Sequence, residues 1–579
     1  MAEFDAAGAR GVFGFRRLPG VRDAIAVLLV LAVVVLLGLG ARRMLGPLVL
    51  AAQPPISLSP WALPDYALRT VVRMLAALAA SLVFTFAYAT LAAKSRRAEM
   101  ILLPLLDVLQ SVPILGYLSF TAVFFVSLFP GRALGPELAA IFAIFTSQAW
   151  NMTFSFYQAL KAVPRDLDEV SRSFRSSAWQ RFWRLEVPYA LPGLVWNMMV
   201  SMSGGWFFVV ASEAIVVGAL HVSLPGIGSY VALAIEKRDL TAVGWAILAM
   251  LIVILLYDQI LFRPLTAWAE KFRVEQTAGE GGSRSVVLDL FRQSLVLGRL
   301  VHPVSTGLQG VMRARLTLPR PAARRVRASL PAPWPDVIWW TAVVAVIGYF
   351  GWRLFLFASP GLTWSDFATV AENGLLTLVR VSVLIALASL VWVPIGIAVG
   401  LRPKLAAAVR PAAQFLAAFP ANLLYPVAVF LIIRFSLDPV IWLSPLMILG
   451  TQWYILFNVI AGASVFPGDL REAAASLRIR RWRWWRDVML PGILPYYVTG
   501  AITASGGAWN ASIISEAVTW GSVHLSASGL GAYIAQQTAA GDYPRIALGI
   551  AVMAVLVVAT NRLVWQPLYA FAERRTRLD

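Results

Sequence analysis

The chain has 579 residues, no cysteine and a formal net charge of +19; 59% of its residues are hydrophobic, only 14% are charged, and its mean hydropathy is +0.73. Soluble domains carry about 25% charged residues, so a mainly water-facing protein is excluded and length does not count domains here. Without cysteine there is no disulfide, thiolate nucleophile or thiolate metal site, and three histidines leave little material for a zinc or haem centre.

Twelve apolar segments of membrane-spanning length are predicted to be helices. The first six lie at 24–45, 68–93, 101–129, 137–160, 190–218 and 241–262. The second six lie at 337–358, 375–400, 411–435, 439–462, 494–519 and 546–568. No signal-peptide cleavage pattern precedes the first, which is expected to remain a span. Basic residues gather at the N-terminus (Arg10, Arg16, Arg17, Arg22) and at 94–97, 161–184, 263–327, 402–410, 471–486 and 562–577. These are every second inter-helix segment. The positive-inside rule explains the charge better than nucleic-acid binding does, and it puts both termini in the cytoplasm. The expected fold is an all-α polytopic membrane protein divided into a six-helix repeat (1–262), a basic cytoplasmic linker (263–336) and a second six-helix repeat (337–579). The linker is Gly-rich at Gly279, Gly281 and Gly282; its middle, Val286 to Val301, reads either as an interfacial helix or as a tether.

The two halves are copies. At an offset of 303, Trp150 pairs with Trp453, Glu169 with Glu472, Pro188 with Pro491, Gly204 with Gly507, Trp206 with Trp509, Glu213 with Glu516, His221 with His524, Gly228 with Gly531 and Pro264 with Pro567. Upstream the offset becomes 307, pairing Arg73 with Arg380 and Pro113 with Pro420. Six spans is an even number, so the halves enter the membrane in the same sense. Their relating axis lies along the membrane normal, with the substrate path between them.

The segment Phe466 to Pro495, "FPGDLREAAASLRIRRWRWWRDVMLPGILP", holds Glu472-Ala473-Ala474, an Arg/Trp run and Val488-x-Leu490-Pro491. Alanine and arginine favour helix, and Pro491 is expected to end or kink what precedes it. A short cytoplasmic helix across the membrane face results; a snorkelling basic loop is the plainer alternative. The glutamates are expected at the helix starts, where a carboxylate is favoured. The first half repeats the pattern as Glu169-Val170-Ser171 and Leu185-x-Val187-Pro188.

These loops resemble the EAA loop of the permease family of ABC importers, EAA-x3-G-x9-I-x-LP. The stretch "AWNASIISEAVTWGS…SGLGAYI" is most similar to the nitrate, sulfonate, taurine and bicarbonate members. The resemblance implies a type I importer fold. It also implies coupling to a partner ATPase through Glu169, Arg175, Pro188, Glu472, Ala473, Ala474, Arg478 and Pro491. Arg175 and Arg478 stand where the family has glycine, which calls the turn geometry there into question. The implied assembly holds two ABC ATPase subunits and a periplasmic substrate-binding protein in the bacterial inner membrane. ATP-Mg sits on the partner, because this chain has no Gly-x4-Gly-Lys-Ser/Thr motif and binds no cofactor or metal itself.

Polar residues in apolar spans point to function. Ser505, Trp509, Ser512 and Glu516 share one helix face, as do Met202, Trp206, Val209 and Glu213. These faces, with Asn510, are expected to line the path; packing polarity beside small residues is the competing reading. Glutamate is an odd contact for an anion and is better suited to bracing a gate through a buried hydrogen bond, or to sitting protonated. Gln110, Gln148, Asn151, Gln452 and Asn458 are weaker candidates. His221 and His524 follow their spans and are either capping or docking residues or ordinary loop histidines. The leading function is uptake of a small anion as the non-catalytic subunit of an ATP-driven importer. The alternative is a proton-coupled secondary transporter with Glu213 and Glu516 as carriers.

Overall fold

All twelve apolar segments are helical in the computed structural model, which describes residues 21–44, 56–218, 220–272, 285–315 and 334–576. Among the described residues, six helices are long and apolar enough to cross a membrane, or up to nine if each sharply bent pair counts as one span. Helices Val21–Met44, Leu134–Lys161 and Trp334–Ala358 match the three remaining segments. The fold is therefore all-α and polytopic. The basic N-terminal arginines Arg10, Arg16 and Arg17 and the linker glycines lie outside the described residues.

Two segments expected as single spans are each broken at the duplicated proline. Arg96–Ser111 and Ile114–Leu128 meet at 99°, and Pro403–Ala418 and Ala421–Arg434 at 77°. Val112 and Phe419, which precede Pro113 and Pro420, are extended (ψ 126° and 127°). Proline's ring drives the preceding residue out of the helical region, so the elbow follows from the sequence.

Four other duplicated prolines behave differently. Widened, π-type turns occupy Phe182–Glu186, Asp258–Phe262, Trp485–Met489 and Asn561–Trp565, and Pro188, Pro264, Pro491 and Pro567 each follow two residues later. A helical proline offers no N–H and presses on the carbonyl four residues back. That carbonyl lies inside the widened turn in all four cases. The turn relieves the clash and lets the helix continue. Pro491 accordingly does not stop the helix: it sits in the first turn of Leu490–Ser515.

The spans expected to reach 218 and 519 stop earlier, at Glu213 and Ser515. Short antiparallel hairpins follow, Ala214–Val217 with Leu220–Ser223 and Ala517–Trp520 with Val523–Ser526. Each leads into a helix, Ile227–Glu236 or Leu530–Ala540.

Two compact units arise. One comprises the described parts of 1–41, 159–196 and 255–322; the other comprises those of 42–158, 197–254 and 323–579. In the smaller unit the linker's middle forms two helices, Val286–Gln293 and Leu295–Arg313, begun by Ser285 and Ser294, whose hydroxyls accept from Leu288 N–H and Leu297 N–H. Asp23 accepts from Ser294 Oγ and Val296 N–H, and Trp179 Nε1 donates to the Val311 carbonyl at 2.8 Å. In the larger unit one continuous core runs from Ile114 through Trp509 to Met553, so side chains of both halves share it.

Candidate translocation path and coupling loops

The strongest polar construction is built twice, once in each half. Glu213 accepts from Thr70 Oγ1 at 2.6 Å, Arg73 Nη1 at 2.7 Å and the Gly228 N–H at 2.7 Å. Glu516 accepts from Thr377 Oγ1 at 2.9 Å, Arg380 Nη1 at 2.6 Å, the Gly531 N–H at 2.8 Å and the Ala532 N–H at 3.2 Å. Each carboxylate thus sits on the N-terminus of the helix that follows its hairpin, where unpaired amides and the dipole favour an anion. The Gly-x-Gly pair makes room: a Cβ on Gly226 or Gly529 would overlap the carboxylate of Glu213 or Glu516, and one on Gly228 or Gly531 would strike the Val210 or Ser512 carbonyl.

Seven path residues were expected. Trp206, Glu213, Ser505, Trp509, Ser512 and Glu516 are buried within the helix packing. The Ser512 hydroxyl donates to the Trp509 carbonyl of its own helix. The cavity of the larger unit instead takes Ser203, Gly204 and Phe207 from one half and Thr451, Gly507 and Asn510 from the other. These residues lie on roughly the opposite side of each helix from the expected stripe. Of the expected seven, Asn510 alone lines the cavity. Asn510 Oδ1 also accepts the Ile114 N–H at 2.7 Å, at the elbow of the other half. The contact is reciprocated: Asn422, at the second elbow, donates to the Phe207 carbonyl at 3.1 Å, and Phe207 is the counterpart of Asn510. Each half's broken span therefore leans on the path helix of its twin. Of the weaker candidates, Gln110 donates to Asn151 at 3.2 Å, Gln148 to the Met202 sulfur, and Gln452 accepts from Trp392 Nε1.

Sequence reasoning missed Thr451, whose hydroxyl is buried without a hydrogen-bond partner among the described residues while it lines the cavity. It also gave no role to Arg73 and Arg380, although charged residues surviving duplication inside apolar spans were a readable signal. His524 is exposed on its strand; the side chain of His221 lies outside the description.

In the smaller unit, the first loop forms helix Arg165–Ser173. In the larger unit, the second forms helix Gly468–Ser476. Glu169 and Glu472 are the fifth residues of these helices, exposed at mid-length rather than at the starts; the first turns hold Asp166 and Asp168, and Asp469. Ala473 is exposed and Ala474 buried, and Pro188 and Pro491 are half-buried. Arg175 and Arg478 adopt the left-handed conformation that glycine favours, with φ of 51° and 52°. Behind them the Ser176 N–H returns to the Ser171 carbonyl and the Ile479 N–H to the Ala474 carbonyl, the bonding of a Schellman helix stop. The turn is therefore made without glycine. A cation just past a helix C-terminus gains from the dipole, which offsets part of the left-handed penalty. Each loop leaves apolar side chains in the open: Leu167 and Phe174, and at matching positions Leu470 and Leu477, with Phe174 and Leu477 75% and 74% exposed.

Two tandem helical repeats, a shared core and a pair of glycine-free loop stops define a duplicated membrane protein; among the described residues no group of three or more His, Asp or Glu is arranged to hold a metal. The family model for the binding-protein-dependent transport system inner membrane component matches twice, at 86–263 and 392–578, well over half of the chain. The chain belongs to that family. It is 30% identical over 165 residues to the bicarbonate transport system permease protein of Synechococcus elongatus, covering 28% of this chain and 55% of that one. It is 26% identical over 188 residues to the nitrate import permease protein of Leptolyngbya laminosa, covering 32% and 64%. It is 30% identical over 201 residues to a glycine betaine transport system permease protein of Bacillus subtilis, covering 34% and 64%. The chain spans about half to two thirds of the length of these curated relatives.

Proposed function

We propose that this chain is the transmembrane subunit of an ATP-driven importer and that it passes a small anion of the nitrate or bicarbonate type between its two halves. Partner ATPases hydrolyse ATP and a binding protein delivers the substrate; the chain itself catalyses nothing. Two ATPase subunits dock on helices Arg165–Ser173 and Gly468–Ser476. Both termini face the cytoplasm of a bacterial inner membrane, and the hairpins face the periplasm.

The observation that carries this reading is the pair of loop helices, each with an exposed glutamate, a left-handed arginine and open apolar side chains at matching positions. Such surfaces suit a grooved protein partner. Glu213 and Glu516 brace the path helices. Each is held by an arginine and by helix amides, an arrangement that a proton carrier would have to break on every cycle. The test is reconstitution with the cognate ATPase and binding protein, assaying nitrate, bicarbonate and glycine betaine separately. Uptake that requires ATP supports the reading; uptake driven by a proton gradient without ATP favours the secondary transporter.

A further inference from the structure

The two buried arginines hold equivalent positions but are not equally satisfied. Arg73 makes four contacts. Nη1 reaches Glu213, and Nη2 reaches the Pro225 carbonyl at 3.1 Å. Nε and Nη2 together grip both oxygens of Glu137 at 2.6 and 2.8 Å. Arg380 repeats the first two: Nη1 to Glu516 at 2.6 Å and Nη2 to the Ser528 carbonyl at 3.1 Å. Ser528 is the counterpart of Pro225, so the frames superpose residue for residue. The third element is missing. The register shifts from 307 to 303 in the loop that holds Glu137, so its counterpart is Ser444 or Val440, neither of them acidic, and among the described residues no carboxylate reaches Nε of Arg380. The Arg73 side chain is 0% exposed and that of Arg380 is 13% exposed.

We infer that the open Nε/Nη2 fork of Arg380 is an oxyanion-binding site, shaped for a planar carboxylate-like group. The first half displays the ligand geometry, because Glu137 fills the same fork in the bidentate manner that guanidinium groups prefer. A partly buried guanidinium with one counter-charge and an open donor pair retains affinity for a second anion. Nitrate, bicarbonate and the carboxylate of a betaine all present two coplanar oxygens; a phospholipid phosphate presents a similar pair. The duplication has thus produced one closed fork and one open fork. This inference rests on the importer reading only for the identity of the soluble anion.

The test uses the full chain in detergent and in nanodiscs of zwitterionic lipid, titrated with sodium nitrate, sodium bicarbonate or glycine betaine at constant ionic strength. Binding is read by calorimetry and by the anion-dependent rise in the unfolding midpoint. Wild type is expected to bind saturably at one site. Arg380→Lys keeps the charge opposite Glu516 but removes the fork, and should weaken binding tenfold or more. Arg380→Gln removes both charge and fork, with the same expected loss; it secures the test if the lysine variant folds poorly. Glu137→Val should open the first fork and raise the stoichiometry to two. Saturable binding of any soluble anion that Arg380→Lys abolishes supports the site. Retention of phosphatidylglycerol that the same variant abolishes also supports it and assigns the fork to a headgroup. Binding that both Arg380→Lys and Arg380→Gln leave at wild-type strength, or no binding by either source, overturns it. ATP-driven uptake is measured in parallel: saturable binding without such uptake would defeat the importer reading and leave the site standing.

Discussion

The Gly218 amide donates to the Thr538 carbonyl at 3.0 Å, joining the hairpin tip of the first half to the helix end of the second. The duplication returns the contact: the Gly521 amide donates to the Ile235 carbonyl, also at 3.0 Å. Both tips adopt the left-handed conformation that favours glycine, with φ of 54° and 60°, and a Cβ on Gly218 would lie 3.2 Å from the Gly541 Cα. The hairpins therefore fasten the halves together on the proposed periplasmic side, each adding a second donor to a carbonyl at the end of the other half's helix.

This latch predicts a clean cross-link. The chain has no cysteine, so Gly218→Cys with Gly541→Cys introduces a single pair whose backbones already touch. Mild oxidation is expected to form the disulfide and reduce ATP-driven uptake at least tenfold, with recovery on adding a thiol. Full uptake by the oxidised, verified cross-linked protein would show that the tips need not part.

The loop stops predict an order of stabilities. A left-handed L-residue costs about 1–2 kcal/mol, and glycine returns roughly 0.5–1 kcal/mol through the unfolded chain. Arg478→Gly should therefore stabilise by on the order of 0.5 kcal/mol, while Arg478→Val should destabilise by about 1 kcal/mol or more because branching worsens the strain. Thermal unfolding in detergent gives the order glycine, wild type, valine. A glycine variant less stable than the valine variant contradicts the assigned backbone.

Coupling should be separable from folding. Glu169 and Glu472 are exposed, so their replacement by lysine should change stability by no more than about 0.5 kcal/mol. The Glu169→Lys/Glu472→Lys double variant is expected to insert normally yet lose ATPase docking or substrate-stimulated ATP turnover, with Glu472→Lys the more severe single change. Wild-type uptake by the double variant would remove the coupling assignment.

The unequal arginine networks predict unequal losses. Glu213→Gln leaves Arg73 paired with Glu137, whereas Glu516→Gln leaves Arg380 without a carboxylate among the described residues. Breaking a buried pair so that one charge is stranded costs roughly 3–5 kcal/mol. Glu516→Gln should approach that cost and Glu213→Gln should fall well below it. Equal shifts in the unfolding midpoint would mean that Arg380 has another counter-charge.

The sequence by itself determined what depends on local chemistry and on one-dimensional pattern. Apolar run length gave the twelve helices, the offsets gave the duplication, and the lack of cysteine and of a phosphate-binding motif limited the chemistry available to the chain. The segments holding Pro113 and Pro420 were expected as single spans, yet their elbows also have a local cause, because ring sterics act on the adjacent residue whatever surrounds it. Tertiary structure alone decided which side of each path helix faces the cavity. Helical periodicity groups Ser505 with Ser512 and Glu516, but the cavity is lined from roughly the opposite side of the helix, and only the packed neighbours distinguish the two. It alone decided that Arg73 is closed by Glu137 while Arg380 is left open, because those partners lie 64 residues apart in the chain and meet only across packed helices. Proximity of that kind is a property of three-dimensional contact, in which the loss of one glutamate alters the electrostatics of a site far from it in sequence.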